Sequence, residues 1–96
     1  MRRTYIVCYD ICDPKRLRRV YKTMCGYGEH LQLSVFRCDL TDMALVQMKG
    51  DLSEEIHHDE DQVLIIYLSP VDSPFNDRIS SLGIPYYHED DDAIIV

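Results

Sequence analysis

No apolar run in the 96-residue chain approaches the roughly 20 residues that cross a bilayer, so a membrane-spanning helix is not expected. The N-terminus opens Met-Arg-Arg, but the apolar stretch behind it is short, lacks a small-residue cleavage site and ends in Asp10. A signal peptide is therefore not expected, and the chain reads as cytoplasmic. A glycine-rich phosphate loop and a serine nucleophile elbow are both missing. Cys8, Cys12, Cys25 and Cys38 are too scattered for a secreted disulfide framework, and no Cys or His pair at zinc-ribbon spacing answers Cys8 and Cys12. They read as reduced thiols. Beyond Lys22 the chain is also short of positive charge: only Arg37, Lys49 and Arg78 oppose fifteen acidic residues.

What is present fits one domain with a small core, because 96 residues leave too little chain for a second. A hydrophobic fraction of 46% excludes a disordered tail. The net charge of -7 argues at first against nucleic acid, since phosphate-binding domains are usually basic. The charge is unevenly placed, however. Through Lys22, seven basic residues face only Asp10 and Asp13, a local balance of +5; the remainder carries -12. A basic edge on an acidic body steers phosphates to one face and repels them elsewhere. The alternative is that both charge groups are simply solvated faces.

The segment Tyr5 to Tyr9 is β-branched and aromatic, as a buried strand is. Asp13 suits an N-cap and Pro14 a first helical position, so a helix should run from there to about Cys25 and end at Gly26 or Gly28. Its core stripe is expected at Leu17, Val20, Tyr21 and Met24, which leaves Arg16 and Arg19 off the stripe and brings Lys15, Arg16 and Arg18 close to Asp10. The stretch EHLQLSVFRCDL is long for one strand and is expected to split near Ser34, although no Asn-Gly turn marks the reversal. Thr41 should cap a second helix with Leu45, Met48, Leu52 and Ile56 inward and Gly50 weakening its middle. HHDED reads as a polar connection, with His57 and His58 solvated. QVLIIYLSP is the clearest strand, apolar enough for the centre of a sheet. Ser73-Pro74 should start a short helical turn with Phe75, Ile79 and Leu82 inward, ended by Gly83 and Pro85. After the acidic run, Ala93 to Val96 should form a terminal strand, pairing either on its own sheet or, across a two-fold, on a neighbour's.

The expected order is that of a ferredoxin-like α/β (α+β) fold, βαββαβ with an antiparallel sheet and an extra C-terminal strand. It is read as a single domain over 1–96, with 86–96 as a dimer-contacting strand. The segments YIVCYDICDPKRLRRV, GYGEHLQLSVFRCDL and EDQVLIIYL, in that order and spacing, resemble the small CRISPR-associated adaptation protein family, the endonuclease-like partner of the CRISPR integrase. The similarity runs from Thr4 to about Leu68. It implies a ferredoxin-like homodimer, a metal ion at the aspartate ending the first strand, metal-dependent phosphodiesterase activity of the kind reported for some members, and assembly with the integrase subunit to insert new spacers. Carried over residue by residue, Asp10 matches the metal-binding aspartate, Tyr9 and Arg19 match positions in the same motif, and Phe36 matches the aromatic of Ser-Val-Phe. Two positions depart: where many members have Arg and Tyr in Arg-Val-Gln-Tyr-Ser-Val-Phe, this chain has His30 and Leu33. Losing an arginine there weakens stabilisation of transition-state charge and leaves scaffold duty untouched.

The catalytic set expected from the resemblance is thus Asp10, Tyr9, Arg19 and Phe36, with Lys15, Arg16, Arg18 and Arg19 binding nucleic acid. Magnesium keeps waters and wants near-octahedral oxygen ligands, so one carboxylate is a poor site and two Asp10 side chains facing across a two-fold make a better one. Arg16 or Arg19 would then clamp the phosphate. Without the resemblance, Asp10 also reads as a strand-end carboxylate in a turn or paired with an arginine. Three functions stay open at this point. They are a magnesium-dependent endonuclease acting on RNA or double-stranded DNA, a non-catalytic dimeric DNA-bridging adaptor for the integrase, and a toxin-like RNA-cleaving relative of the same fold.

Overall fold

The alternation in RTYIVCYD makes the first strand a divider between two surfaces. In the computed structural model, which describes residues 1–68 and 77–86, β1 spans Arg3–Asp10 and buries Tyr5, Val7 and Tyr9 on one face, with Thr4, Ile6, Cys8 and Asp10 on the other. Helix α1 (Pro14–Cys25) follows, then β2 (Glu29–Gln32), β3 (Val35–Leu40), α2 (Asp42–Glu55), β4 (Gln62–Tyr67) and β5 (Ile79–Gly83). All neighbours pair antiparallel in the order β2-β3-β1-β4-β5, the ferredoxin-like arrangement extended by one strand. β1 is therefore central, flanked by β3 and β4, and Asp10 lies at the end of an interior strand opposite Gln62.

Both helices pack on the face of Tyr5, Val7 and Tyr9. The core there joins Phe36, Cys38 and Leu40 of β3 and Val63 and Ile65 of β4 to Val20 and Met24 of α1 and Met48, Leu52 and Ile56 from α2 and its end. Leu17 and Tyr21 do not complete the α1 stripe: they are 38% and 41% exposed, because the helix rolls Val20 and Met24 onto the sheet and leaves the other pair at its flank. Asp13 caps α1 by accepting from the Lys15 and Arg16 amides, Gly26 forms the C-cap, and Thr41 caps α2 through the Ala44 amide.

The β2–β3 reversal falls at Leu33–Ser34, close to the expected split. Leu33 takes φ +31°, a backbone region that favours Gly or Asn, yet a leucine occupies it and the turn carries no Asn-Gly signature. His30 Nε2 lies 2.7 Å from the Leu33 carbonyl oxygen and ties the turn locally.

The segment 79–83 departs from expectation. Instead of ending a helical turn, it pairs with β4 from Ile66↔Ile79 to Gln62↔Gly83. The free backbone N–H and C=O groups on alternate residues of the open β4 edge outweigh the helical spacing of two apolar side chains. The expected turn at Ser73 to Phe75 and the strand at Ala93 to Val96 lie outside the described residues. No helix among the described residues is long and apolar enough to cross a membrane.

Gly83 closes the sheet against the loop before β4. Its φ is +82°, and a Cβ there would stand 2.2 Å from the Asp61 carbonyl oxygen. That carbonyl also accepts from the Ile84 amide at 2.8 Å. Gly83→Ala should therefore cost about 1–3 kcal/mol from backbone conformation alone, with the overlap added, read as a lower urea midpoint at unchanged slope.

Candidate metal and nucleic-acid site

The loop Ile11–Asp13 joins the end of β1 to α1, and its shape is set from outside by Asp61. This carboxylate is fully buried immediately before β4 and takes four hydrogen bonds. Oδ1 accepts from the Cys12 amide at 2.9 Å and Arg16 Nη2 at 3.2 Å; Oδ2 accepts from Arg16 Nε at 2.8 Å and the His57 amide at 2.8 Å. Glu60 adds a second acceptor for Arg16 Nη2 at 3.1 Å, and Cys12 Sγ lies 3.0 Å from the Glu60 carbonyl oxygen. Burial pushes the Asp61 carboxyl up, but the hydrogen bonds from Arg16 and from the Cys12 and His57 amides outweigh it and hold it at about 2. The Arg16 guanidinium is correspondingly held in its charged form by Asp61.

The expectation that Arg16 stands beside Asp10 as a phosphate clamp is therefore corrected. Its fork is occupied by two carboxylates, and its side chain is only 18% exposed. Lys15, Arg18 and Arg19 are exposed on α1, and none of the three forms an ion pair among the described residues. The first turn of α1 holds no acidic residue, so these cations add to the positive end of the helix dipole. Asp13 offsets them in part; its carboxyl is lowered chiefly by the Arg16 amide hydrogen bond.

Asp10 is exposed on the face away from the helices and makes no ion pair or side-chain hydrogen bond among the described residues. It borders a shallow cleft of about 120 Å³ with Cys8, Tyr9, Gln62 and Leu64. Among the described residues no cluster of three His, Cys, Asp or Glu side chains could hold a metal ion. One chain thus offers a magnesium ion a single free carboxylate, a donor set that suits the ion only if substrate phosphate, water or a second carboxylate completes it.

Tyr9 and Phe36 are buried, with ring centroids 6.2 Å apart and 27° between planes. Tyr21 and His30 pack on Phe36 at 5.8 and 5.0 Å and meet each other edge-on at 5.3 Å. Both expected catalytic aromatics therefore face the helices, on the opposite side of the sheet from Asp10. Burial is the first cause that raises the Tyr9 hydroxyl above its usual range.

The family model described as CRISPR associated protein Cas2 matches residues 2–72. This chain belongs to the Cas2 family. A CRISPR-associated endoribonuclease Cas2 of Geobacter sulfurreducens is 43% identical over 83 residues, 86% of each chain. A second so named, from Thermodesulfovibrio yellowstonii, is 46% identical over 84 residues, 88% of this chain and 87% of its own. Among solved structures, a hypothetical protein TT1823 from Thermus thermophilus aligns with TM-score 0.71 at 30% identity, over 73% of this chain and 85% of its own.

Within this Cas2-family fold, sequence reasoning overlooked Asp61, hidden in the acidic HHDED stretch. One signal was available: an acidic residue directly preceding an apolar strand has to be solvated or paired, and α1 carries the excess cations that could pair it. His57 and His58 are exposed, as expected, but the His57 amide belongs to the Asp61 cradle.

Because the Asp61 carboxyl falls from an ordinary 3.8 to about 2 on folding, its contribution is complete above about pH 4 and is lost as pH drops toward 2. Urea midpoints followed from pH 6 to pH 2.5 should decline below pH 4. Asp61→Asn should start lower and lose less over the same interval.

Proposed function

We propose that the chain is a cytoplasmic CRISPR adaptation protein that works as a homodimer, binds nucleic acid and cleaves phosphodiester bonds with magnesium at Asp10. The observation that carries this reading is the free carboxylate at the end of the central strand, beside a cationic helix start, in a member of a family whose relatives are named endoribonucleases. The face that holds Asp10 also carries Ile6, Cys8, Val35, Leu64, Ile66 and Ile79, an apolar strip across four strands. A second copy laid on that strip by a two-fold would bring two Asp10 side chains together and supply the missing ligand. The single ferredoxin-like domain would then span 1–96, with 86–96 contributing a dimer-contacting strand.

Two Asp10 carboxylates would hold the magnesium ion, which when bound neutralises charge developing on the phosphodiester. Lys15, Arg18 and Arg19 would hold flanking phosphates and fix the strand's position. Arg16 would shape the loop from behind. Tyr9 and Phe36 would stiffen the end of β1 from the helix side without touching substrate. RNA is the substrate favoured by the relatives' names, with double-stranded DNA as the alternative.

A second reading is favoured by His30, which stands where many members carry arginine and is engaged with Tyr21, Phe36 and Leu33. On that reading the dimer bridges DNA for the integrase subunit without cutting it. Asp10→Asn separates the two. As a nuclease, the variant should keep its fold and its nucleic-acid binding and lose at least about 100-fold in magnesium-dependent cleavage of RNA or duplex DNA. Equal cleavage by wild type and Asp10→Asn would contradict the catalytic reading and leave the adaptor.

A further inference from the structure

At the end of β1 opposite Asp10, a groove of about 520 Å³ opens between the sheet and α2. Seven residue steps of about 3.3 Å put Arg3, at its mouth, roughly 23 Å along the strand from the aspartate, which lies on the other face of the sheet. Among the described residues two helices face a five-stranded sheet, and the groove opens beside α2 at Leu45 and Lys49. Tyr5, Ile65 and Tyr67 form its floor, the two phenol rings 5.6 Å apart and inclined at 44°.

The rim is cationic. Among the described residues, Arg3, Lys49 and Arg78 line the groove against one carboxylate, Asp77. Lys49 and Arg78 are two of the three cations that the chain carries beyond Lys22, against fifteen acidic residues there. Lys49 is half-buried and forms no ion pair among the described residues. Arg3 is held at the mouth by Asp42, whose Oδ1 accepts from its Nη1 at 2.5 Å. An apolar segment filling the groove would leave the Lys49 ammonium half-buried against it with no countercharge. A ligand with a flat apolar ring and an anion satisfies both floor and rim.

We propose that this groove binds one nucleoside phosphate, its base on the Tyr5–Tyr67 floor and its phosphate held by Lys49. The volume lies within the roughly 300–1,000 Å³ of small-molecule pockets and is far too small for a duplex. Aromatic floors with cationic rims take bases of any sequence, because every base has a π-face. The nucleotide could be free or the terminal residue of a strand; the chemistry is the same.

Amide spectra of the ¹⁵N-labelled full chain titrated with adenosine 5′-monophosphate test this directly. Saturable shifts are expected at Tyr5, Lys49, Tyr67 and Ser80, with adenosine and inorganic phosphate binding at least about tenfold more weakly. Lys49→Gln, a change outside the core cluster, should weaken binding by about tenfold, and Tyr67→Leu by a similar factor. A 5′-phosphorylated oligonucleotide binding tighter than the monophosphate assigns the groove to strand ends; the reverse order assigns it to free nucleotide. Shifts confined to the α1 cations, or an affinity unchanged in Lys49→Gln, would overturn the proposal.

Discussion

Four hydrogen bonds to one buried carboxylate hold the functional end of this molecule in shape. Asp61 is taken out of water beside a sheet of apolar side chains, a position that costs several kcal/mol unless every lone pair is matched. The match comes from three separate places: the loop after β1, the first turns of α1 and the turn after α2. Cys12 and Arg16 lie 49 and 45 residues before Asp61, so the carboxylate ties the start of α1 to the start of β4. Gly83 completes the arrangement by letting β5 approach the Asp61 backbone more closely than any side chain would permit.

The carboxylate also decides how the basic residues are divided. Seven cations crowd the first 22 residues, and the sequence treats them as one patch. Asp61 and Glu60 remove Arg16 from it, turning one member inward as a strut. Lys15, Arg18 and Arg19 stay in solvent at the positive end of α1, and Asp10, with no arginine on it, keeps its charge available for a cation. The loop between Asp10 and Arg16 is held by Asp61, which also takes up the Arg16 fork.

The element order, the helix caps and the central strands were legible because each has a local cause: Asp13-Pro14 and Thr41 as helix starts, β-branched and aromatic residues in β1, and continuous apolarity in β4. What escaped depends on distant partners. The reversal at Leu33 uses a residue that seldom adopts positive φ, so no turn dipeptide announces it. β5 looks helical in spacing and becomes a strand only because β4 offers it an open edge. Leu17 and Tyr21 follow the helical stripe in sequence yet stay half in water, since α1 turns Val20 and Met24 into the core in their place. Asp10 could be singled out from its position, but Asp61 sits in a run of acidic residues whose other members are exposed, and only the tertiary structure tells it apart. The groove at the Arg3 end draws on β1, α2, β4 and β5, and no contiguous motif encodes it.

The division of the basic cluster into one internal strut and several free cations is tested most directly by a double-mutant cycle on Arg16 and Asp61, measured by urea unfolding with Arg18→Ala as the comparison. Arg16→Ala and Asp61→Asn should each cost about 3 kcal/mol. Their combination should fall short of the sum by at least about 1.5 kcal/mol, while Arg18→Ala stays within about 0.5 kcal/mol of wild type. Additive single effects, or an Arg18→Ala loss equal to that of Arg16→Ala, would contradict the account.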